Sequence, residues 1–207
     1  EEAVADLEGG AAAFAFGSGM AAISSTLMLF APGDHLVVCE DVYGGAFRVL
    51  TKLFHQWGLQ VTFVDATSLA AIEAAIRAET KAIYLESPSN PLLKITDIAG
   101  IAQITRAAGA TCVCDNTWAT PVLQRPFEFG ADLVVHATTK YLGGHSDVLG
   151  GVLVAKAETE LFKRVRTIQA MGGAVPSPFE CWLTLRGIST LSVRVRAQSQ
   201  TALRLGE

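Results

Sequence analysis

Short apolar runs at residues 11–16, 36–39, 59–64, 81–85, 111–114, 133–135 and 151–155 recur along the chain, most of them followed by a stretch of helical periodicity. Each run has the length of a strand, and the connecting turns are only a few residues long. Such alternation predicts parallel strands joined by right-handed crossovers, a three-layer α/β/α sandwich with a mostly parallel sheet. At 207 residues and 50% hydrophobic content the chain can bury one substantial core. The helical stretches read as scaffold. In residues 68–78 Leu69, Ile72 and Ile76 share a face and Glu73 is spaced to pair with Arg77. Asp97 is placed to cap residues 98–108, and Gly109 to end them.

In an open α/β sheet the strand carboxyl ends line the ligand crevice. Residues just past those ends are therefore expected to converge on one face: Gly19, Tyr43, Asn90, Asp115 and Lys140. Gly17-Ser18-Gly19-Met20 opens a helix, where free backbone amides and the helix dipole can hold an anion; the plain alternative is a tight turn that binds nothing. Tyr43, ahead of Gly44 and Gly45, can lay its ring over a planar group or simply pack at a helix start. Glu86 and Asn90 sit in the loop 86–91, which Pro88 and Pro91 are expected to keep extended. Lys140 lies in a polar turn after 133–135, followed by Gly143 and Gly144, so a reactive amine stands at a strand end.

Composition narrows the chemistry. A net charge of −4 without a dense Lys/Arg run argues against nucleic-acid or membrane-surface partners and toward a small-molecule substrate. Residues 11–33 carry no charge, a length that raises a membrane span, but Gly17, Ser18, Gly19, Ser24 and Ser25 interrupt it. It reads as a strand, a turn and a buried helix, with no secretory signal pattern before it. Cys39, Cys112, Cys114 and Cys181 lie in apolar segments without disulfide-framework spacing, which predicts a reducing cytoplasmic setting. Cys112 and Cys114 alternate as small buried hydrophobes do, and a metal pair with Asp115 or His136 lacks the ligand spacing of zinc sites. No metal is expected. Both ends, at Glu1 and Glu207, fall within helical patterns, as in a piece of a longer protein. A rival reading rests on Gly17-x-Gly19-x-x-Ala22 with Glu40 about twenty residues on, the fingerprint of an NAD-dependent oxidoreductase.

A lysine amine able to condense with an aldehyde and an aspartate able to hold a proton on a ring nitrogen are what pyridoxal phosphate (PLP) requires of a protein. Asp115-Asn116-Thr117, Gly130-Ala131-Asp132 and His136-Ala137-Thr138-Thr139-Lys140-Tyr141-Leu142-Gly143-Gly144-His145-Ser146-Asp147 resemble the PLP-dependent trans-sulfuration enzymes. This is the Cys/Met metabolism family of cystathionine γ-synthases, γ-lyases and homoserine sulfhydrylases. The resemblance implies a fold type I, aspartate aminotransferase-like large domain over 1–172, with 173–207 starting a linker helix toward a smaller C-terminal domain. It implies that Lys140 carries PLP and moves protons, with Tyr43 as a second catalytic residue. Asp115 would pair with the ring nitrogen, Tyr43 would stack on the ring, and Asn90 would lie near the phenolic oxygen. The amides of Gly19 and Met20 and the hydroxyl of Thr139 would form the phosphate cup, and Glu86 counts with the cofactor-binding residues.

Two positions depart from patterns in the family. Ala137 stands where many relatives have serine, so one phosphate hydrogen bond is missing unless Thr138 or a water replaces it. Gly45 stands where methionine γ-lyases have cysteine. The resemblance further implies an amino-acid substrate and a homo-oligomer, a dimer of dimers with shared sites, completed by a tyrosine and an arginine before Glu1 and an arginine after Glu207. It places γ-replacement on an O-acyl homoserine with cysteine first, and cystathionine γ-lyase or O-acylhomoserine sulfhydrylase activity next. An inactive binding fragment is the remaining alternative.

Overall fold

Burial sorts the strands of the sheet. The computed structural model describes residues Glu1–Glu207 and orders the strands β1-β7-β6-β5-β4-β2-β3. Strands β2 (His35–Cys39), β4 (Thr80–Glu86), β5 (Thr111–Asp115), β6 (Leu133–His136) and β7 (Gly151–Ala155) are inner strands, apolar on both faces. The edges fall to β1 (Ala12–Phe16) and β3 (Gln60–Val64), and β3 is only half buried. Ile83, Val113, Val134 and Leu153 lose all contact with solvent, and each such side chain contributes roughly 1.5–3 kcal/mol.

Helices cover both faces. They are α1 (Glu2–Glu8), α2 (Gly19–Leu27), α3 (Gly44–Lys52), α4 (Leu69–Ala75), α5 (Ile98–Ala107), the single turn α6 (Thr120–Leu123) and α7 (Glu160–Gly172). Side-chain caps start four of them as their sequences dictate: Ser18 for α2, Ser68 for α4, Asp97 for α5 and Thr159 for α7 each accept from a first-turn amide. Residues 11–33 become β1, a turn and α2, and no helix is long and apolar enough to cross a membrane.

The expectation of parallel strands holds for all but one. β7 runs antiparallel to both β6 and β1. The reason is local: residues 137–150, between β6 and β7, contain no crossover helix, so the chain turns back on itself instead of passing over the sheet. Other details also differ. Helix α3 breaks at Leu53 into a 3₁₀ turn, Phe54–Trp57, which Gly58 ends at φ 86°. Helix α4 stops at Ala75 because Ile76 is extended, so Arg77 leaves Glu73 and donates to Thr62 Oγ1 at 3.0 Å. The loop 86–91 is folded back rather than extended: Leu93 N donates to Ser89 O at 3.1 Å, and the Ser87–Pro88 and Asn90–Pro91 bonds are cis. Of the four cysteines in apolar segments, Cys39, Cys112 and Cys114 are buried and Cys181 is exposed.

After Gly173, left-handed at φ 67°, the last stretch forms two helices, α8 (Pro178–Ile188) and α9 (Leu191–Gly206), with a capping box between Ser177 and Glu180. Leu191 and Val195 of α9 join the main core.

Truncation in the sheet centre is expected to be costly. Ile83→Ala should lower unfolding free energy by about 2–5 kcal/mol, whereas Lys163→Ala, in an exposed pair with Glu160, should change it by less than about 0.5 kcal/mol. Denaturant melts of the two variants against wild type measure both.

Candidate active site

The parallel register brings two carboxylates and one amine to the same rim. Glu86 pairs with Asp115 across β4 and β5, and Asp115 pairs with Val135 across β5 and β6, so the ends of three strands finish level. The turn carrying Lys140 follows directly from β6. Over this rim lies a cleft of about 1140 Å³. All eight residues expected at a cofactor site, Gly19, Met20, Tyr43, Glu86, Asn90, Asp115, Thr139 and Lys140, line it.

Each residue is held by its own local structure. Gly19 and Met20 open α2, and Ser18 Oγ and Ser18 O take the amides of Ala21 and Ala22, which leaves the first two amides of the helix without an intrahelical acceptor. A Cβ on Gly19 would stand 2.7 Å from the Ala137 methyl, so glycine there lets α2 close on the lysine loop. Tyr43 precedes α3, and its own amide donates to Glu86 Oε2 at 2.7 Å. Gly45 makes room for the Tyr43 ring: a Cβ would fall 2.3 Å from Cε1 and 2.6 Å from Met20 Sδ. The Lys140 side chain is exposed to the cleft and its amine belongs to none of the ion pairs.

Two expected phosphate ligands are arranged differently from the expectation. The Thr139 hydroxyl donates to Gly150 O at 3.2 Å and accepts from Gly150 N at 3.0 Å, closing the base of the lysine loop. Thr138 is buried against Gly150 and does not face the cleft, so it does not supply the hydroxyl that Ala137 lacks. Ser18, which sequence reasoning passed over, does line the cleft, and its hydroxyl keeps a proton to donate while its oxygen caps α2.

The carboxylates set the electrostatics. Glu86 and Asp115 are 2% and 5% exposed, and neither forms an ion pair. Burial, and then the charge of Asp115, pushes Glu86 up from 4.5 to about 8. Burial also raises Asp115, against hydrogen bonds from Thr117 that favour its charged form, among them Thr117 N to Oδ1 at 3.0 Å. Two buried carboxylates so placed resist being charged together where no cation faces them. Burial likewise raises the thiol of Cys39 to about 12, and no three His, Cys, Asp or Glu side chains come together as a metal would need.

Beneath the rim is a polar network that the sequence did not announce. Buried His136 Nε2 meets buried Glu8 Oε1, and Asn116 Nδ2 donates to the same oxygen at 2.8 Å. Gln124 Nε2 then donates to Asn116 Oδ1 and to Ser87 O. The network ties α1 to the segments leaving β4 and β5 and to the last residue of β6. Thr117 is a second missed residue, its Oγ1 accepting from Ala137 N at 2.9 Å and so joining the β5 end to the lysine loop. Trp118 and Tyr141, with ring centroids 6.5 Å apart, wall the cleft.

The NAD reading fails on topology and on Glu40. A dinucleotide unit needs its first two strands adjacent, but β1 and β2 are separated by four others. Glu40 is bound by Lys94 Nζ at 3.0 Å and lies outside the cleft.

The donor set fits pyridoxal phosphate. Asp115 is a buried carboxylate facing the cleft without a cation, the complement of a protonated ring nitrogen; free amides at the start of α2 suit a phosphate, and Lys140 offers the amine. The carboxylate pair also makes a stability prediction for the cofactor-free protein. Unfolded Glu86 ionises near 4.5 and folded Glu86 near about 8, so between those values only the folded state keeps the proton and stability falls as pH rises. Thermal melts should show this decline in wild type and a shallower one in Glu86→Gln; equal slopes would remove the pair as its source.

Comparison with known proteins agrees. The family described as Cys/Met metabolism PLP-dependent enzyme matches residues 1–207. Two Bacillus subtilis (strain 168) proteins, a cystathionine gamma-lyase and the cystathionine beta-lyase MetC, are each 50% identical, over 99% and 100% of this chain and 54% and 53% of their own lengths. A cystathionine gamma-synthase of Mycobacterium leprae (strain TN) is 45% identical over 100% of this chain and 53% of its own. A crystal structure of cystathionine gamma-lyase from Lactobacillus plantarum complexed with L-serine superposes with a TM-score of 0.90 at 48% identity, covering 92% of this chain and 50% of that one. The chain thus spans about half the length of the curated relatives it matches. A match along the whole chain and a shared fold, with Lys140 and Asp115 lining one cleft, make this chain a member of the Cys/Met metabolism PLP-dependent enzyme family.

Proposed function

We propose that this chain supplies the cofactor-binding part of an enzyme that cleaves a carbon–sulfur bond of cystathionine on its γ side. The observation that carries the reading is the convergence of Lys140, Asp115, Tyr43 and the opening turn of α2 on one cleft, in a chain whose relatives at 50% identity bear cystathionine lyase names. When bound, PLP supplies an electron sink for the carbanion at the substrate α carbon. Asp115 would hold the proton on the ring nitrogen. The amine of Lys140, exposed to the cleft, would take the proton from Cα and move protons at the neighbouring carbon. Tyr43 would stack on the ring and serve the departing sulfur through its phenol. The amides of Gly19 and Met20 and the hydroxyl of Ser18 would hold the phosphate and Asn90 would serve the phenolic oxygen, while Glu86 fixes Tyr43 through its amide.

γ-Replacement on an O-acyl homoserine with cysteine is the second reading, favoured by the Mycobacterium leprae relative named cystathionine gamma-synthase. Both readings take a small amino acid as substrate and make nucleic acid and membrane no part of the function. Free thiols at Cys39, Cys112 and Cys114 accord with a reducing cytoplasm, and the shared-site homo-oligomer belongs to this proposal.

Borohydride reduction of the full-length protein loaded with PLP, followed by peptide mapping, should place a single phosphopyridoxyl group on Lys140, and Lys140→Ala should lose both the label and about 10²–10⁴-fold in kcat. With cystathionine, γ-cleavage yields cysteine, ammonia and 2-oxobutanoate; homocysteine and pyruvate would mean cleavage on the β side. Formation of cystathionine from an O-acyl homoserine and cysteine, without cleavage, would establish the second reading. Labels scattered over surface lysines would overturn the site.

A further inference from the structure

We infer that Arg194 of α9 is a positioning residue for the Lys140 turn, clamping it against the corner between α8 and α9. The inference rests on the reading of Lys140 as the point of cofactor attachment.

The corner and the turn meet backbone to backbone. A Cβ on Gly187, near the end of α8, would fall 2.1 Å from Gly143 O and 2.5 Å from Leu142 O. Only glycine lets the helix end come this close. On the other side of the contact, a Cβ on Gly144 would fall 2.1 Å from Arg194 Nη1, 2.3 Å from Cζ and 2.6 Å from Nη2, so the guanidinium plane lies against the Gly144 backbone. Gly144 is left-handed at φ 73°, and its amide donates to Lys140 O at 2.7 Å. The turn that orients Lys140 is thereby closed by the residue Arg194 covers.

Arg194 is itself fixed from behind. Nη2 donates to Gly187 O at 2.7 Å and Nε donates to Thr190 Oγ1 at 2.9 Å. Thr190 N and Thr190 Oγ1 donate to the same Gly187 carbonyl, each at 3.2 Å. Arg194 belongs to none of the ion pairs, and its Nη1 is buried without a hydrogen-bond partner. A guanidinium kept there for charge pairing would have a carboxylate beside it. This one has a carbonyl, a hydroxyl and the face of Gly144, which is the environment of a brace. Arg194 lines the same cleft as Lys140, but Nη1 is closed to solvent, so its effect on the site passes through the turn.

The test is amide hydrogen exchange on the full-length protein, with and without PLP, read on the peptide covering residues 140–146. Arg194→Ala should speed exchange there about tenfold or more while the sheet strands keep wild-type protection. Thr190→Val removes the acceptor for Nε together with the hydroxyl's own bond to Gly187 O, but leaves the guanidinium on Gly144, and should give a smaller change in the same peptide. In the loaded protein the circular dichroism of the cofactor band should fall to less than about half at unchanged cofactor stoichiometry, and kcat on cystathionine should drop about tenfold or more with KM within about twofold. Arg194→Lys should not restore exchange protection, because one ammonium cannot bond Gly187 O and lie flat on Gly144.

Wild-type exchange at 140–146 together with an unaltered cofactor band in Arg194→Ala would overturn the inference. So would faster exchange spread evenly over all strands, the mark of a general loss of stability. If Arg194→Ala does not fold, Thr190→Val decides: unchanged exchange at 140–146 overturns the clamp. A wild-type protein without label on Lys140, but with the expected exchange response, would instead overturn the reading of Lys140 and leave the clamp standing.

Discussion

Level parallel pairing of β4, β5 and β6 is the constraint on which the remainder of the site depends. Asp115 is paired in register with Glu86 on one side and Val135 on the other. Three strands that finish together make a floor, and every group that matters stands on its rim. A slip of one residue in any of these pairings would turn each side chain of the strand to the other face. The apolar run at every one of these strands makes such a slip costly, because Ile83, Leu85, Val113, Cys114, Val134 and Val135 are all fully buried.

Placing two carboxylates side by side in a buried rim works against stability and in favour of binding. Neither Glu86 nor Asp115 has a cation of its own, and burial raises both. The protein compensates through the backbone: the Tyr43 amide serves Glu86 and the Thr117 amide serves Asp115. These bonds have a second effect. They fix the first residue of the α3 segment and the first turn after β5 relative to the strands, so the groups that lower the electrostatic cost also set the walls of the cleft. The network of buried Glu8, His136 and Asn116 with half-buried Gln124 does the same from below, binding α1 to loops far from it in sequence.

Much of this was legible in the sequence for identifiable reasons. The short apolar runs separated by capped helical stretches carry the layer structure. Turn chemistry carries the site, because the segments that follow parallel strands gather at the crevice end of the sheet, and Gly19, Tyr43, Asn90, Asp115 and Lys140 all line the cleft there. Where the reading went astray the cause was local geometry. The reversal of β7 follows from a missing crossover helix in residues 137–150, and the loss of the Glu73–Arg77 pair from one extended residue, Ile76. The second helix at the end of the chain also escaped notice, since the break at Ser189 and Thr190 contains neither glycine nor proline.

The sequence by itself determined the fold class and the family, and it put the amine of Lys140 in a turn at a strand end, because periodicity, turn residues and a contiguous motif are local properties. Tertiary structure alone decided what depends on distance between remote segments. Glu8 looks like any solvated helix residue until it meets His136 across 128 positions. Arg194 looks like a surface charge until its guanidinium is found on Gly144. The Thr139 hydroxyl looks unpartnered until Gly150 is found beside it. A side chain's partner is chosen by whatever packing brings within about 3 Å of it, and no linear pattern encodes that.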